Sequence, residues 1–282
     1  MALIVAVHGI GQQLEGPETH ALNWRAPLSD GVHLAGGPPI APEDVVVAFY
    51  GDLFRRKGGK GFGAVELTPA DVSDDFDREL LELWAHEAAE LEAPEVAGAP
   101  TKVRTPDTVQ RALNVLSHSS FFAGVAGRVV VWNLGQVRAY MTDPDIRAEV
   151  RRRVEAAVGD DTRVLIGHSL GSVVAYEALA ANPSWPVRAL VTLGSPLGIR
   201  RLVFDRLRPP PGDGRGRWPG GIAAWTNVSD RGDVVALAKE LAPLFDDRIR
   251  DVLVHNGAKA HDVRPYLTAR ATGAAIAAGL EA

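Results

Sequence analysis

The sequence contains no cysteine, which excludes a disulfide framework, a thiolate zinc site and a cysteine nucleophile together. It also lacks a long apolar run. No window approaches the roughly 20 apolar residues of a membrane-spanning helix, so any membrane contact is expected to be peripheral. A cationic excess is missing too, with 30 Lys and Arg against 35 Asp and Glu and a formal net charge of −5. That balance argues against nucleic acid as a partner. The N-terminus, Met1-Ala2-Leu3-Ile4-Val5-Ala6-Val7-His8-Gly9, has no basic stretch, and its apolar run is about one strand long, too short for a secretion signal. A cytoplasmic location is therefore expected. His20, His33, His86 and His118 form no close metal-ligand pattern, and no metal or cofactor is required.

What remains is ample for a core. The 282 residues, 46 % of them hydrophobic, suit one large α/β domain over 1–282. Strand patterns stand at 2–7, 45–50, 163–166, 187–193, 222–228 and 249–254. Between the second and third lies a long, mostly helical insertion, 51–141. It opens with a Gly-rich basic loop from Arg55 to Gly61, which lacks the Gly-Lys-Ser/Thr ending of a phosphate-binding loop. Thr68-Pro69-Ala70-Asp71 reads as a helix start, with Phe76, Leu80, Leu83, Trp84 and Leu91 on one face. Further helices are expected near Pro106-Asp107, through Val129 towards Tyr140, from Asp143-Pro144 to about Val158, and from about Val263. Strands alternating with helices imply parallel pairing, with ligands at the carboxyl ends of the strands.

Gly167-His168-Ser169-Leu170-Gly171 follows Arg163-Val164-Leu165-Ile166 and precedes the helical run from Ser172. A serine at such a strand-to-helix corner is held in a sharp, strained turn, and the glycines two positions to either side make room for it. That corner presents a nucleophile. A serine hydroxyl needs a base to take its proton and a carboxylate to orient that base. In this arrangement the partners follow in the order Ser, Asp or Glu, His. Of eight histidines only His255 and His261 come after Ser169 and beyond the last strand. His261, in a loop able to reach back over the serine, is preferred to His255 at the strand end. Asp230 and Asp233 both lie just past the fifth strand. Asp233 is preferred because it leads into the apolar turn Val234-Val235-Ala236-Leu237, although it is also suited to capping a short helix there. Backbone amides of Ile10, in His8-Gly9-Ile10-Gly11, and of Leu170, after the nucleophile, are the candidate oxyanion donors.

Together these segments resemble the α/β-hydrolase superfamily, in its lipase and esterase branch. The matching features are Val7-His8-Gly9-Ile10-Gly11, Ile166-Gly167-His168-Ser169-Leu170-Gly171, Leu193-Gly194-Ser195-Pro196, then Asp233 and His261 in the family's order. The resemblance implies an α/β-hydrolase fold and a carboxylic ester hydrolase working through an acyl-enzyme. The substrate implied is a small-molecule or lipid ester. Because the chain starts at what would be the family's third strand, the sheet is expected to be smaller, about six strands. An acyltransferase or thioesterase on the same triad, and a non-catalytic binding protein of the same fold, are the alternatives. For the insertion two readings stand. Phe76, Leu80, Trp84 and Leu91, with Phe121, Phe122 and Val125, either form a lid over an acyl chain or simply pack on the core. Likewise Arg200, Arg201, Arg206, Arg208, Arg215 and Arg217 either meet an anionic head group or are solvated loop charge. A histidine base implies loss of kcat/KM in acid.

Overall fold

A computed structural model describes residues 2–55, 71–92, 106–118 and 127–281. Six strands form one sheet: β1 (Ile4–Val7), β2 (Val45–Ala48), β3 (Val164–His168), β4 (Ala189–Leu193), β5 (Ala224–Asp230) and β6 (Arg250–Val254). Their order across the sheet is β2-β1-β3-β4-β5-β6, and every pairing is parallel. All four residues of β1 and all five of β3 and β4 are buried, as expected of central parallel strands covered on both faces. This is an α/β fold. The chain steps outward from β1 to β2, then returns past β1 to β3. The carboxyl ends of β1 and β3 thus form the switch point of the sheet, where open α/β sheets bind their ligands.

Successive strand residues point to opposite faces, and each face has its own core. Ile4, Ala6, Val164, Ile166 and Val191 pack beneath α1 (Pro17–Leu34), α7 (Val263–Thr268) and α8 (Arg270–Glu281). Val5, Val7, Leu165 and Leu190 pack beneath α5 (Pro144–Ala157) and α6 (Leu170–Ala181). The α2 (Asp75–Glu92), α3 (Pro106–His118) and α4 (Gly127–Thr142) helices of the 51–141 stretch join this second core.

Several boundaries differ from those expected. Thr68–Ala70 lie outside the described residues, and α2 starts at Asp75, where the Asp74 carboxylate accepts from the Phe76 amide at 2.8 Å. Phe76, Leu80 and Trp84 are buried in the second core, whereas Leu91 is exposed; Phe121, Phe122 and Val125 lie outside the described residues, as does the basic loop after Arg55. α5 is capped as its sequence suggests, with Asp143 accepting from the amides of Asp145 and Ile146. The last helix is two: Ala269 is extended at ψ 132° and ends α7 before α8 begins. The helix α1 had no counterpart in the sequence reading. Among the described residues no helix is long and apolar enough to cross a membrane.

Several of the arginines after β4 have partners within the fold. Arg201 pairs with Glu79, Arg206 donates to the Arg201 carbonyl, and Arg215 reaches Asp247 and the Phe245 carbonyl. None of the six arginines lines the cavity described below.

Candidate active site

Ser169 sits between the last residue of β3 and the first of α6, at φ 53° and ψ −131°. A left-handed φ is costly for a residue with a Cβ and persists only where the surroundings enforce it. Here the Ser169 amide donates to the Leu193 carbonyl at 3.0 Å, continuing the sheet. From the other side, the Ser172 hydroxyl donates to the Ser169 carbonyl at 2.6 Å and lies 2.7 Å from the Ser195 hydroxyl. The Gly194-Ser195-Pro196 turn is thereby tied to the serine corner.

The structure brings Asp233 and His261 together. His261 Nδ1 lies 2.8 Å from Asp233 Oδ2, and Asp233 is fully buried while the His261 side chain keeps 21 % exposure. The other carboxylate oxygen, Oδ1, accepts from the amides of Val235 and Ala236 at 2.9 and 3.3 Å. Asp233 therefore touches the imidazole and also caps a turn, whereas the short helix expected after it is not formed. Burial works against its negative charge. The attraction of His261, with hydrogen bonds from His261, Tyr266 and the Val235 amide, more than offsets this and holds the carboxyl below its usual range. Asp233 is thus an anion that fixes the proton on Nδ1, leaving Nε2 of the neutral ring as an acceptor.

Tyr266, which the sequence reading did not single out, stands behind this pair. Its hydroxyl donates to Asp233 Oδ2 at 2.8 Å and accepts from the Asp230 amide at 2.8 Å. Burial and the adjacent Asp233 keep the phenol protonated, with its pKa well above the ordinary value. Asp230 itself has other work. It ends β5, and its carboxylate accepts from the amides of Gly232 and Asn256, clamping the ends of β5 and β6. His255 is exposed and does not line the cavity.

Gly194 gives the pair its space. At φ +52° it adopts a conformation that favours glycine, and an added Cβ would lie 2.6 Å from Asp233 Oδ2 and 3.1 Å from His261 Nδ1.

Ser169, His261 and Ile10 line one cavity of about 410 Å³ at the switch point, together with His8, Gly9 and His168. Leu170 opens α6, where the first amides have no intrahelical acceptor. The Ile10 segment is braced on both sides. The Gly11 amide donates to Gln136 of α4 at 3.1 Å, and the Tyr50 hydroxyl donates to the His8 carbonyl. The His8 ring accepts from the Tyr50 amide at Nε2, 3.0 Å away, and donates from Nδ1 to the Gly9 carbonyl at 2.6 Å. His168 Nε2 donates to the His261 carbonyl at 2.9 Å, so the residue before the serine holds the backbone of the histidine.

His8 and His168 are both neutral in these roles. Burial above all, with a neighbouring histidine in each case, lowers each from 6.5 to about 3. Since the unfolded chain protonates them near 6.5 and the folded chain does not, their stabilisation is complete above that pH and is lost as pH falls towards 3. Two extra protons taken up on unfolding give a slope of about 2.7 kcal/mol per pH unit. Urea unfolding should show stability falling between pH 6 and 4. A flat profile there would mean that these rings are already charged or solvated in the native protein.

Among the described residues no group of three or more His, Cys, Asp or Glu is arranged to hold a metal ion. In comparisons with known proteins, the chain matches no family model, no curated protein and no solved structure.

Proposed function

We propose that the chain is a serine hydrolase of the α/β-hydrolase type that cleaves a carboxylic ester through an acyl-enzyme. The observation that carries this reading is the buried Asp233 carboxylate 2.8 Å from Nδ1 of His261, a histidine that lines the same cavity as Ser169 on its left-handed corner. The six-strand parallel sheet supports it as well.

In this mechanism Ser169 Oγ attacks the acyl carbonyl carbon while its proton passes to His261 Nε2. Asp233 holds the ring and stabilises the imidazolium that forms. The carbonyl oxygen, now negative, is met by the amides of Ile10 and Leu170, each such donor contributing roughly 3 to 4 kcal/mol to the transition state. Collapse expels the alcohol, which takes the proton from Nε2. Water then repeats the sequence on the acyl-enzyme and frees Ser169.

The test is labelling by a fluorophosphonate, located by peptide mapping, together with hydrolysis of acyl esters from two to sixteen carbons. Labelling at Ser169 with turnover is expected; a protein that neither labels nor hydrolyses any ester is not a hydrolase of this kind. Product analysis with an added alcohol, amine or thiol separates hydrolysis from acyl transfer.

Gly194→Ala offers a finer probe. The added methyl would lie 2.6 Å from Asp233 Oδ2 and 3.1 Å from His261 Nδ1, so that one or both must shift. A misplacement of this size costs about 10²-fold in kcat, and a variant with wild-type kcat would show that this pairing does not matter to turnover.

A further inference from the structure

The Asp233 carboxylate is met by a donor at each place where it can accept. A carboxylate offers about four lone-pair sites. Oδ1 takes the amides of Val235 and Ala236, and Oδ2 takes both His261 Nδ1 and the Tyr266 hydroxyl, each at 2.8 Å. Chemistry fixes the direction of the tyrosine bonds. An amide only donates, so the phenol oxygen accepts from Asp230 and its own proton is left for Asp233.

His261 and Tyr266 belong to one short segment, the loop before α7 and α7 itself (Val263–Thr268). Two donors from that segment thus land on a single oxygen, and they differ in freedom. The imidazole opens onto the cavity with 21 % exposure, whereas the phenol is fully buried on a helix packed against α1. Through the Asp230 amide the phenol is also referenced to the end of β5. Tyr266 does not line the cavity, so it acts on the site only through Asp233.

Resting on the hydrolase reading above, we propose that Tyr266 is a positioning residue of this site, whose hydroxyl fixes the Asp233 carboxylate as the anchor of the His261 ring and draws off part of its negative charge. Each effect has its own readout. Fixing the anchor matters while His261 carries the serine proton, and shows in kcat. Drawing charge from Oδ2 weakens its attraction for a protonated imidazole, and shows in the acid limb of kcat/KM. Beside this pair also stand His168, whose neutral ring lies 4.7 Å from that of His261, Asp262, which is paired with Arg264, and Lys239, which donates to the Asp233 carbonyl. None of these is altered by a change at the phenol oxygen.

Two replacements in the full chain test the proposal. Tyr266→Phe removes one oxygen and keeps the ring. For a p-nitrophenyl ester it should lower kcat by about 10-fold or more, leave KM near the parent value, and move the acid limb to higher pH by about half to one unit, the effect of one hydrogen bond. 3-Fluorotyrosine, introduced at position 266 alone, keeps the hydroxyl and makes it a stronger donor, so the limb should move to lower pH. Proton NMR of the His261 Nδ1 hydrogen, which needs no turnover, should show displacements of opposite sign in the two proteins. A residue that only packs would change the melting temperature and none of these.

Parent kcat in the Phe variant, with an unmoved limb in both proteins, overturns the proposal and leaves the hydrolase reading standing. Where the Phe variant does not fold, the fluorotyrosine protein decides alone, and an unmoved limb there overturns it. If the parent neither labels at Ser169 nor cleaves any ester, the hydrolase reading fails; the NMR signal still decides whether the phenol governs the Asp233 and His261 pair, and an unmoved signal overturns that.

Discussion

Replacing Ser169 by alanine should lower kcat for a short p-nitrophenyl ester by about 10⁶-fold, the loss seen when the nucleophile of such a triad is removed. Thermal unfolding should be little changed. The side chain of Ser169 makes no capping hydrogen bond to α6, so alanine forfeits no helix cap, and alanine bears the left-handed φ at a similar cost to serine. The corner itself is held by backbone and neighbouring groups, through the Leu193 carbonyl and the Ser172 hydroxyl. On the proposed mechanism, what disappears is the atom that carries the acyl group. Residual turnover from the oxyanion amides should remain. A variant as active as the parent would show that ester cleavage occurs elsewhere or by another nucleophile.

The second large effect concerns stability. Glu177 of α6 is fully buried and pairs with Arg147 of α5, itself only 3 % exposed. The carboxylate also accepts from the Tyr140 hydroxyl at 2.7 Å and the Arg208 amide at 2.9 Å, while Arg147 donates to the Arg206 carbonyl at 2.8 Å. Four segments thus meet on one carboxylate: α4, α5, α6 and the arginine-rich loop. Glu177→Ala leaves a guanidinium, a phenol and an amide in the interior without their acceptor, and breaking a buried pair from one side costs about 3–5 kcal/mol. At about 2–4 °C per kcal/mol for a domain of this size, the melting temperature should fall by roughly 6–20 °C. The double replacement Arg147→Met with Glu177→Leu should be milder than Glu177→Ala alone, since it leaves no isolated charge. Calorimetry of the three proteins decides the matter. Equal losses in single and double variants would mean that packing, not the unpaired charge, sets the cost.

How much of this was legible beforehand follows from the kind of signal each part leaves. Ser169 announces itself because its strain is written in neighbouring glycines, and Asp233 and His261 follow from chain order and from the loops beyond β5 and β6. Tyr266 leaves no such mark. It is one aromatic on a short helix, and its role exists only through contacts with Asp230 and Asp233. The helix α1 was illegible for a physical reason. It carries Pro27 in its interior, and Gly31 reads locally as a breaker. Yet Gly31 is a packing requirement: a Cβ there would lie 2.1 Å from the Leu267 carbonyl oxygen. Tertiary packing of Trp24, Leu28 and Val32 on the sheet overrides weak local propensity. Without that helix the sequence could not disclose that His20 and Trp24 line the cavity.

The bracing of the Ile10 segment has a consequence for how such a protein diversifies. Ser169, Asp233 and His261 all leave the sheet from the same rim, but the insertion supplies Trp84 and Asn133 to the cavity and, through Gln136, a grip on Gly11. Part of the cavity wall therefore comes from the insertion, which is also bound to the rest of the fold through the second core, through Gln13 and through Glu177. Exchanging helices α2 to α4 for another set would alter that part of the wall only if the newcomer also restored the second core, the acceptor for the Gly11 amide and the hydroxyl that meets Glu177.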